Sequence, residues 1–323
     1  MAPMLNRYPT DWPVTPLVPI RLSAGSPVIW CKLEFANPSG STKDRIAHYI
    51  LSNAFQRGLL RPGSTVIEAS SGSTSIAMAL VCAQLGLRFI AVVPEGVSSE
   101  RVLMIRAYGG TVSFSSRDDG IRGCIRESEK LAAQMDAFLP RQFANPENVE
   151  AHQHGTAREI LAQIPGHQVE AVVSGVGTGG TLVGLITGCS RDGRAPRAFL
   201  ARPIELSRTR AEECCGFSCR IPGVIECVSS LFRESDYPEL ATIEVSDHEA
   251  LETTRELIRL GFPVGPSSGL NYRAAMEAAE TAGVGSIVTV FPDRMERYFS
   301  TDLFRPLAEQ RAPDTVHQAA GAD

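Results

Sequence analysis

The sequence predicts an α/β protein with mostly parallel strands, built as two α/β units. Three observations carry this. Short runs rich in β-branched residues alternate with longer runs whose apolar residues recur at helical spacing. Glycine-rich turns stand where strand gives way to helix, and a proline-rich break, "FLPRQFANPE" at 138–147, separates two such series. Such a break marks passage between units, although a loop of this kind can also lie inside one domain.

In chain order, "PVIWCKLEF" (27–35) reads as a strand, and Asn37-Pro38-Ser39-Gly40 as a turn. Ser41 or Thr42 supplies a hydroxyl cap, and Ile46, Ile50 and Leu51 recur at helical spacing, so a helix begins about Lys43. Three strand–helix pairs follow: "STVIEA" with "TSIAMALVCAQLG", "RFIAVV" with "SERVLMIRAYG", and "TVSFSS" with "IRESEKLAAQM". The second series runs from the helical "NVEAHQHGTAREILAQI" through the strand "VEAVVSG", the helix "GTLVGLITGC" and the strand "RAFLARP" to a late strand, "SIVTVFPD". The tail from Arg305 is small and polar, and there is no internal repeat.

A chain of 323 residues with a net charge of −5 fits one large or two ordinary domains and does not call for nucleic acid. No apolar run is long enough to span a membrane, and the start lacks the pattern of a signal peptide, so a cytoplasmic protein is expected. The eight cysteines are scattered and read as reduced thiols. Cys214, Cys215 and Cys219 form a cluster, but without a Cys-x-x-Cys pair or a nearby histidine no metal is expected there.

Lys43 lies in a first helical turn, where the macrodipole penalises a cation by about 0.3–1 kcal/mol. Burial there would favour the neutral, nucleophilic amine, which can form a Schiff base; an ordinary solvated helix start is the plainer alternative. Two glycine-rich loops sit where α/β sheets bind ligands. "SGVGTGGT" (174–181) can surround a phosphate with N–H groups at a helix start. It also satisfies G-x-G-x-x-G, but a dinucleotide site wants an acid about 20 positions on, and only Glu205, about 30 on from Gly175, is offered. "EASSGSTSIAMA" (68–79) sets the hydroxyls of Ser70, Ser71, Ser73 and Thr74 beside a helix N-terminus, as a carboxylate site would; capping of the turn is the alternative.

Six stretches, taken together and in order, carry a resemblance: "NPSGSTKDR", the hydroxyl loop, "QFANPENVEAH", "GVGTGGT", "GPSSG" and "PDRMERYFST". The chain resembles the cysteine synthase and cystathionine β-synthase family of pyridoxal-phosphate enzymes from about residue 15 to 304. The resemblance implies fold type II, like the tryptophan synthase β chain, with two three-layer α/β/α domains. A smaller mobile one (about 45–145) carries the substrate-carboxylate loop, and a larger one (about 13–44 and 146–304) binds the cofactor phosphate, with 305–323 as a tail.

By the same resemblance, Lys43 carries pyridoxal 5′-phosphate as an internal aldimine and later takes the Cα proton. Gly177, Thr178, Gly179, Gly180 and Thr181 cradle the phosphate, and Ser267 faces the ring nitrogen. Ser70, Ser71 and Thr74 hold the substrate carboxylate with Gln142 closing over it. A homodimer acting on small amino acids is implied. Two positions depart from the family: Ser73 stands where an asparagine amide meets the cofactor's 3′-oxygen, and Ser75 replaces a glycine. "SSGST" also resembles cysteine desulfhydrases. The expected reaction is β-replacement on O-acetyl- or O-phospho-L-serine through an aminoacrylate, giving cysteine or a related amino acid. β-Elimination from cysteine is the alternative. Arg220 can meet an anionic group or be a surface arginine, and a scaffold that has lost catalysis is opposed by the retention of Lys43.

Overall fold

The computed structural model describes residues 13–191, 193–205, 220–225, 228–283 and 285–308. Two sheets organise it: one of six strands in the order β1-β2-β9-β6-β7-β8, the other of three in the order β3-β4-β5. The small sheet comprises β3 (Thr65–Ala69), β4 (Arg88–Pro94) and β5 (Thr111–Ser115), all parallel. The helices between them are α2 (Ser73–Leu85), α3 (Ser99–Ala107) and α4 (Gly120–Met135). One face of this sheet packs Val66, Phe89 and Ala91 against α2 and against α1 (Lys43–Gln56). The other packs Ile67 and Val92 against Ile121 and Cys124 of α4.

The large sheet is parallel except at its edge, where β1 (Leu17–Ile20) runs antiparallel to β2 (Ile29–Lys32). At its centre β6 (Ala171–Ser174) and β9 (Ile287–Val290) are buried at every residue, as strands covered on both faces must be. β7 (Arg197–Pro203) and β8 (Ala241–Val245) complete it. Ala151 of α5 (Glu147–Ala151) joins the core of the small sheet and α1, while apolar residues of α6 (Ala157–Gln163) and α7 (Gly180–Gly188) pack with Val172 and Val288 on one face of the large sheet. The opposite face is covered by α8 (Asp247–Arg259) and α9 (Pro266–Ala282); a short α10 (Arg305–Ala308) ends the described chain.

The elements read from sequence are present, with local differences. The strand read over 27–35 ends at Lys32 and gives way to a 3-10 turn at Glu34–Ala36. The helix read over 148–164 contains a π turn at His152–Thr156. α1 starts at Lys43, but no hydroxyl caps it in the usual way: Thr42 is already helical (φ −56°, ψ −20°), and its Oγ1 is buried without a partner among the described residues. A capping side chain needs extended backbone to turn back onto the helix, and here only Ser41 Oγ accepts the Lys43 N–H, at 3.3 Å. β1, β8, α8 and α9 were not read from the sequence. The Cys214, Cys215 and Cys219 cluster lies outside the described residues.

Candidate active site

Loops after β3, β6 and β9 meet at the carboxyl ends of both sheets and line an open cleft. All the candidate site residues line it except Gly180.

Lys43 is half-buried at the start of α1. Its enclosure lowers the pKa of its ammonium, while the charges of Asp293 and Glu34 pull the other way. Burial sustains a reactive fraction of neutral amine, which a solvated lysine lacks.

The hydroxyl loop divides its labour. Ser70 Oγ accepts N–H groups from Gly72 at 3.0 Å and Ser75 at 3.1 Å, and it shares a hydrogen bond with Ser75 Oγ at 2.6 Å. Its oxygen is committed to shaping the turn. Gly72, at φ +135°, adopts a conformation closed to L side chains, and a Cβ there would meet Arg101 Cδ at 2.4 Å. Thr74 Oγ1 donates to Gln142 Oε1 at 2.6 Å, and Gln142 Nε2 donates to the Ala69 carbonyl at 2.6 Å. Ser71 lines the cleft beside them, so the hydroxyl loop and Gln142 form one wall. Beneath them Glu68 accepts the Gln142 N–H at 3.1 Å, and burial pushes its carboxyl up to about 8.

The second loop is shaped by contacts that only glycine permits. A Cβ on Gly177 would lie 2.2 Å from the Gly223 carbonyl oxygen, and one on Gly180 1.9 Å from Asn148 Oδ1. Gly179 has φ +85° and caps α7. The backbone can therefore wrap closely around a guest at a helix N-terminus, whose opening N–H groups have no intrahelical acceptors. Thr181 Oγ1 lies 3.2 Å from His152 Nε2, and His152 Nδ1 lies 2.9 Å from Thr156 Oγ1. Burial, aided by Lys43, lowers the imidazole to about 3, so His152 is neutral at the cradle.

Asn148 joins the two loops. Its Nδ2 donates to the Gln142 carbonyl at 2.8 Å and to Thr178 Oγ1 at 3.0 Å. Asn271 plays a similar part from α9, accepting the Gly175 N–H at 2.7 Å and donating to the Val290 carbonyl at 2.8 Å. Ser267 lies in the first turn of α9, after Pro266, and faces the cleft. Sequence reasoning missed Asn148, Asn271, His152 and Asp293 as site residues, because each acts through contacts distant in the chain. Arg220 is not on the cleft: its side chain is 55% exposed and lies 3.5 Å from Asp302. Glu205, the acid a dinucleotide site would need, instead accepts the Asp247 N–H at 2.9 Å.

These groups fit pyridoxal phosphate. An amine can form the Schiff base, a glycine cradle at a helix start suits the phosphate, and a hydroxyl loop with Gln142 suits an amino-acid carboxylate.

The comparisons agree with this geometry. The family model described as "Pyridoxal-phosphate dependent enzyme" matches residues 10–293. A cysteine synthase of Staphylococcus aureus is 33% identical over 301 residues, 90% of this chain and 94% of that protein. Among solved structures, an O-ureido-L-serine synthase is 34% identical with a TM-score of 0.84, covering 96% of this chain and 97% of its own. A hydrogen sulfide-producing enzyme of Fusobacterium nucleatum is 31% identical with a TM-score of 0.81, covering 93% and 91%. With a family model matched over most of its length and relatives of this identity, the chain belongs to the cysteine synthase and cystathionine β-synthase family of pyridoxal-phosphate dependent enzymes.

Proposed function

We propose that this protein binds pyridoxal phosphate at Lys43 and catalyses β-replacement on an activated serine, O-acetyl-L-serine or O-phospho-L-serine, giving cysteine or a related β-substituted alanine. The observation that carries the reading is that the half-buried Lys43 amine shares one cleft with the glycine cradle and with the Thr74–Gln142 wall. When bound, the cofactor supplies an electron sink for the pair released at Cα.

The chain's own residues do the rest. N–H groups at the start of α7 and the hydroxyls of Thr178 and Thr181 offset the phosphate charge, and neutral His152 orients Thr181 without adding charge of its own. Ser71 and the remaining Nε2 proton of Gln142 hold the substrate carboxylate, with Thr74 orienting the Gln142 amide, which fixes the Cα–H relative to Lys43; Ser70 supports the turn beneath. The Lys43 amine would take the Cα proton, because burial keeps a share of it unprotonated. Ser267, on the cleft wall, would present the cofactor ring with a hydroxyl and not a carboxylate, which would make a weaker sink and favour chemistry at Cβ over transamination.

A second reading is β-elimination from cysteine to pyruvate, ammonia and sulfide. It is supported by the "SSGST" loop and by similarity to the hydrogen sulfide-producing enzyme. The homodimer and the cytoplasmic location belong to the same proposal, and sedimentation of the purified protein tests the former.

The deciding experiment is absorption spectroscopy of the purified protein incubated with pyridoxal phosphate, beside Lys43→Ala. A protein-bound cofactor band in the wild type alone supports the role of Lys43. Acetate or phosphate release from the corresponding serine ester, dependent on an added thiol or amine, supports replacement. Sulfide and pyruvate from cysteine alone would assign elimination, and the absence of any band would overturn both.

A further inference from the structure

Asp293 stands just beyond β9 on the cleft wall, and the reaction outlined above gives its carboxylate no task. Its Oδ2 accepts from Tyr298 Oη at 2.7 Å and from Ser73 Oγ at 3.2 Å. Its Oδ1 is buried and has no hydrogen-bond partner among the described residues. The backbone holds the residue in place: the Gly265 N–H donates to its carbonyl at 2.9 Å, and Ser41 pairs with it in a β-bridge. Gly265 approaches so closely that a Cβ there would lie 2.3 Å from Oδ1. Tyr298 is fully buried, with the Arg101 guanidinium 4.9 Å from its ring centroid. Asp293 is thus a fixed carboxylate held against Ser73 and Tyr298, with Lys43 at longer range and Arg101 and Arg297 acting on Tyr298.

Ser73 has one hydroxyl proton. Once that proton is donated to a fixed carboxylate, Oγ presents only lone pairs to the cleft. The family places an asparagine amide, a donor, at this position facing the cofactor's 3′-oxygen. A donor favours the anionic form of such an oxygen, whereas an acceptor favours the protonated form. We propose that Asp293 is a positioning residue that captures the Ser73 hydroxyl proton and so reverses the hydrogen-bond polarity at position 73, keeping the 3′-oxygen of bound pyridoxal phosphate protonated in the resting enzyme. The inference rests on the pyridoxal-phosphate reading of Lys43. It gives one physical role to two features that otherwise look unrelated, a serine in place of an amide and a buried carboxylate on the cleft wall.

The protonated and anionic forms of the 3′-oxygen absorb at shorter and longer wavelength respectively, so a spectrum reads the proton's location independently of turnover. The holoenzyme, prepared by incubation with pyridoxal phosphate, is expected to show mainly the short-wavelength band at neutral pH. In Ser73→Asn and Asp293→Ala, which restore a donor or free the serine proton, the ratio of short- to long-wavelength absorbance should fall about fivefold, the effect of one ordinary hydrogen bond. Tyr298→Phe keeps the Ser73–Asp293 contact and should leave the ratio near that of the wild type. A wild-type spectrum dominated by the long-wavelength band overturns the inference without recourse to any variant, as does a ratio unmoved in both Ser73→Asn and Asp293→Ala. Absence of any protein-bound band in the wild type would instead remove the cofactor reading, and this inference with it.

Discussion

A cation in the first turn of a helix is the kind of local inconsistency that marks a working residue, and Lys43 shows its cause. The dipole and the burial act in the same direction, toward the neutral amine, and His152 beside it is held neutral as well. Individual side chains in the cleft therefore have separable effects. Gly180→Ala would drive a methyl to within 1.9 Å of Asn148 Oδ1, so Asn148 must move off Thr178 and Gln142. The expected outcome is at least about tenfold weaker cofactor binding, measured by fluorescence titration of the apoprotein, with a stability cost of about 1–3 kcal/mol. Gln142→Ala removes a group from the carboxylate wall but leaves Lys43 untouched. It should raise KM for the amino acid about tenfold or more while leaving the cofactor spectrum in place, which steady-state kinetics and absorbance check together. Lys43 and the glycine cradle were singled out only by the six stretches taken together, because a lysine at a helix start has an ordinary solvated reading and the glycine spacing a dinucleotide one. Asp293, Asn148 and His152 were not. A lone acid after a strand, an asparagine in a loop and a histidine in a helix are each common, and their meaning arises only when Ser73, Thr178 and Thr181 are brought against them.

Elements were legible in proportion to how strongly their own side chains declare them. β3, β6 and β9 are buried at every residue because both faces are covered, and each was read in place. β8 was missed because it is an edge strand with only Ile243 and Val245 buried, too short an alternation to stand out. β1 is shorter still and takes its strand character from pairing with β2. The hydroxyl cap expected at α1 is found instead at α8. There Ser246 Oγ accepts the Glu249 N–H at 3.2 Å, and Glu249 Oε2 accepts the Ser246 N–H in return, also at 3.2 Å. This box is exposed and remote from the cleft, so Ser246→Ala should cost about 1 kcal/mol in denaturant unfolding and leave activity unchanged. A change in KM would show that α8 reports on the site through α9. The analogous substitution in the hydroxyl loop behaves differently. Ser70 is the acceptor for two backbone N–H groups, so Ser70→Ala is expected to loosen the turn and destabilise the protein by about 1–3 kcal/mol as well as weaken substrate binding. Thermal unfolding of the protein without ligand separates the two effects.

At the scale of the molecule, the large sheet, α1 and α6 are tied together by a buried set of charges two residues from Lys43. Glu34 accepts from Arg45 Nε at 2.6 Å and Nη2 at 2.7 Å, and from Thr15 Oγ1 at 2.7 Å. Glu159 accepts from Arg45 Nη1 at 2.6 Å and pairs with Lys32 Nζ at 2.7 Å. Two cations thus face two anions, and every oxygen of the fully buried Glu34 carboxylate is occupied. Such a set adds little net stability over an apolar core of the same shape, but removing one member leaves an uncompensated charge behind. Glu34→Gln is therefore expected to destabilise the protein by about 3–5 kcal/mol at neutral pH, measured by guanidinium unfolding. The pH dependence of that loss identifies its origin. Burial alone would raise the Glu34 carboxyl, but Arg45 outweighs it and brings the group from its ordinary 4.5 down to about 2. A carboxylate whose pKa is depressed on folding stabilises the fold above its unfolded value and loses that contribution as pH falls through the folded value. The difference in unfolding free energy between wild type and Glu34→Gln should therefore be steady above about pH 4.5 and shrink steadily toward pH 2. A difference that persists unchanged into that acidic range would mean that the variant is weakened by lost packing, and that the charges around Arg45 do not hold α1, and with it Lys43, in place.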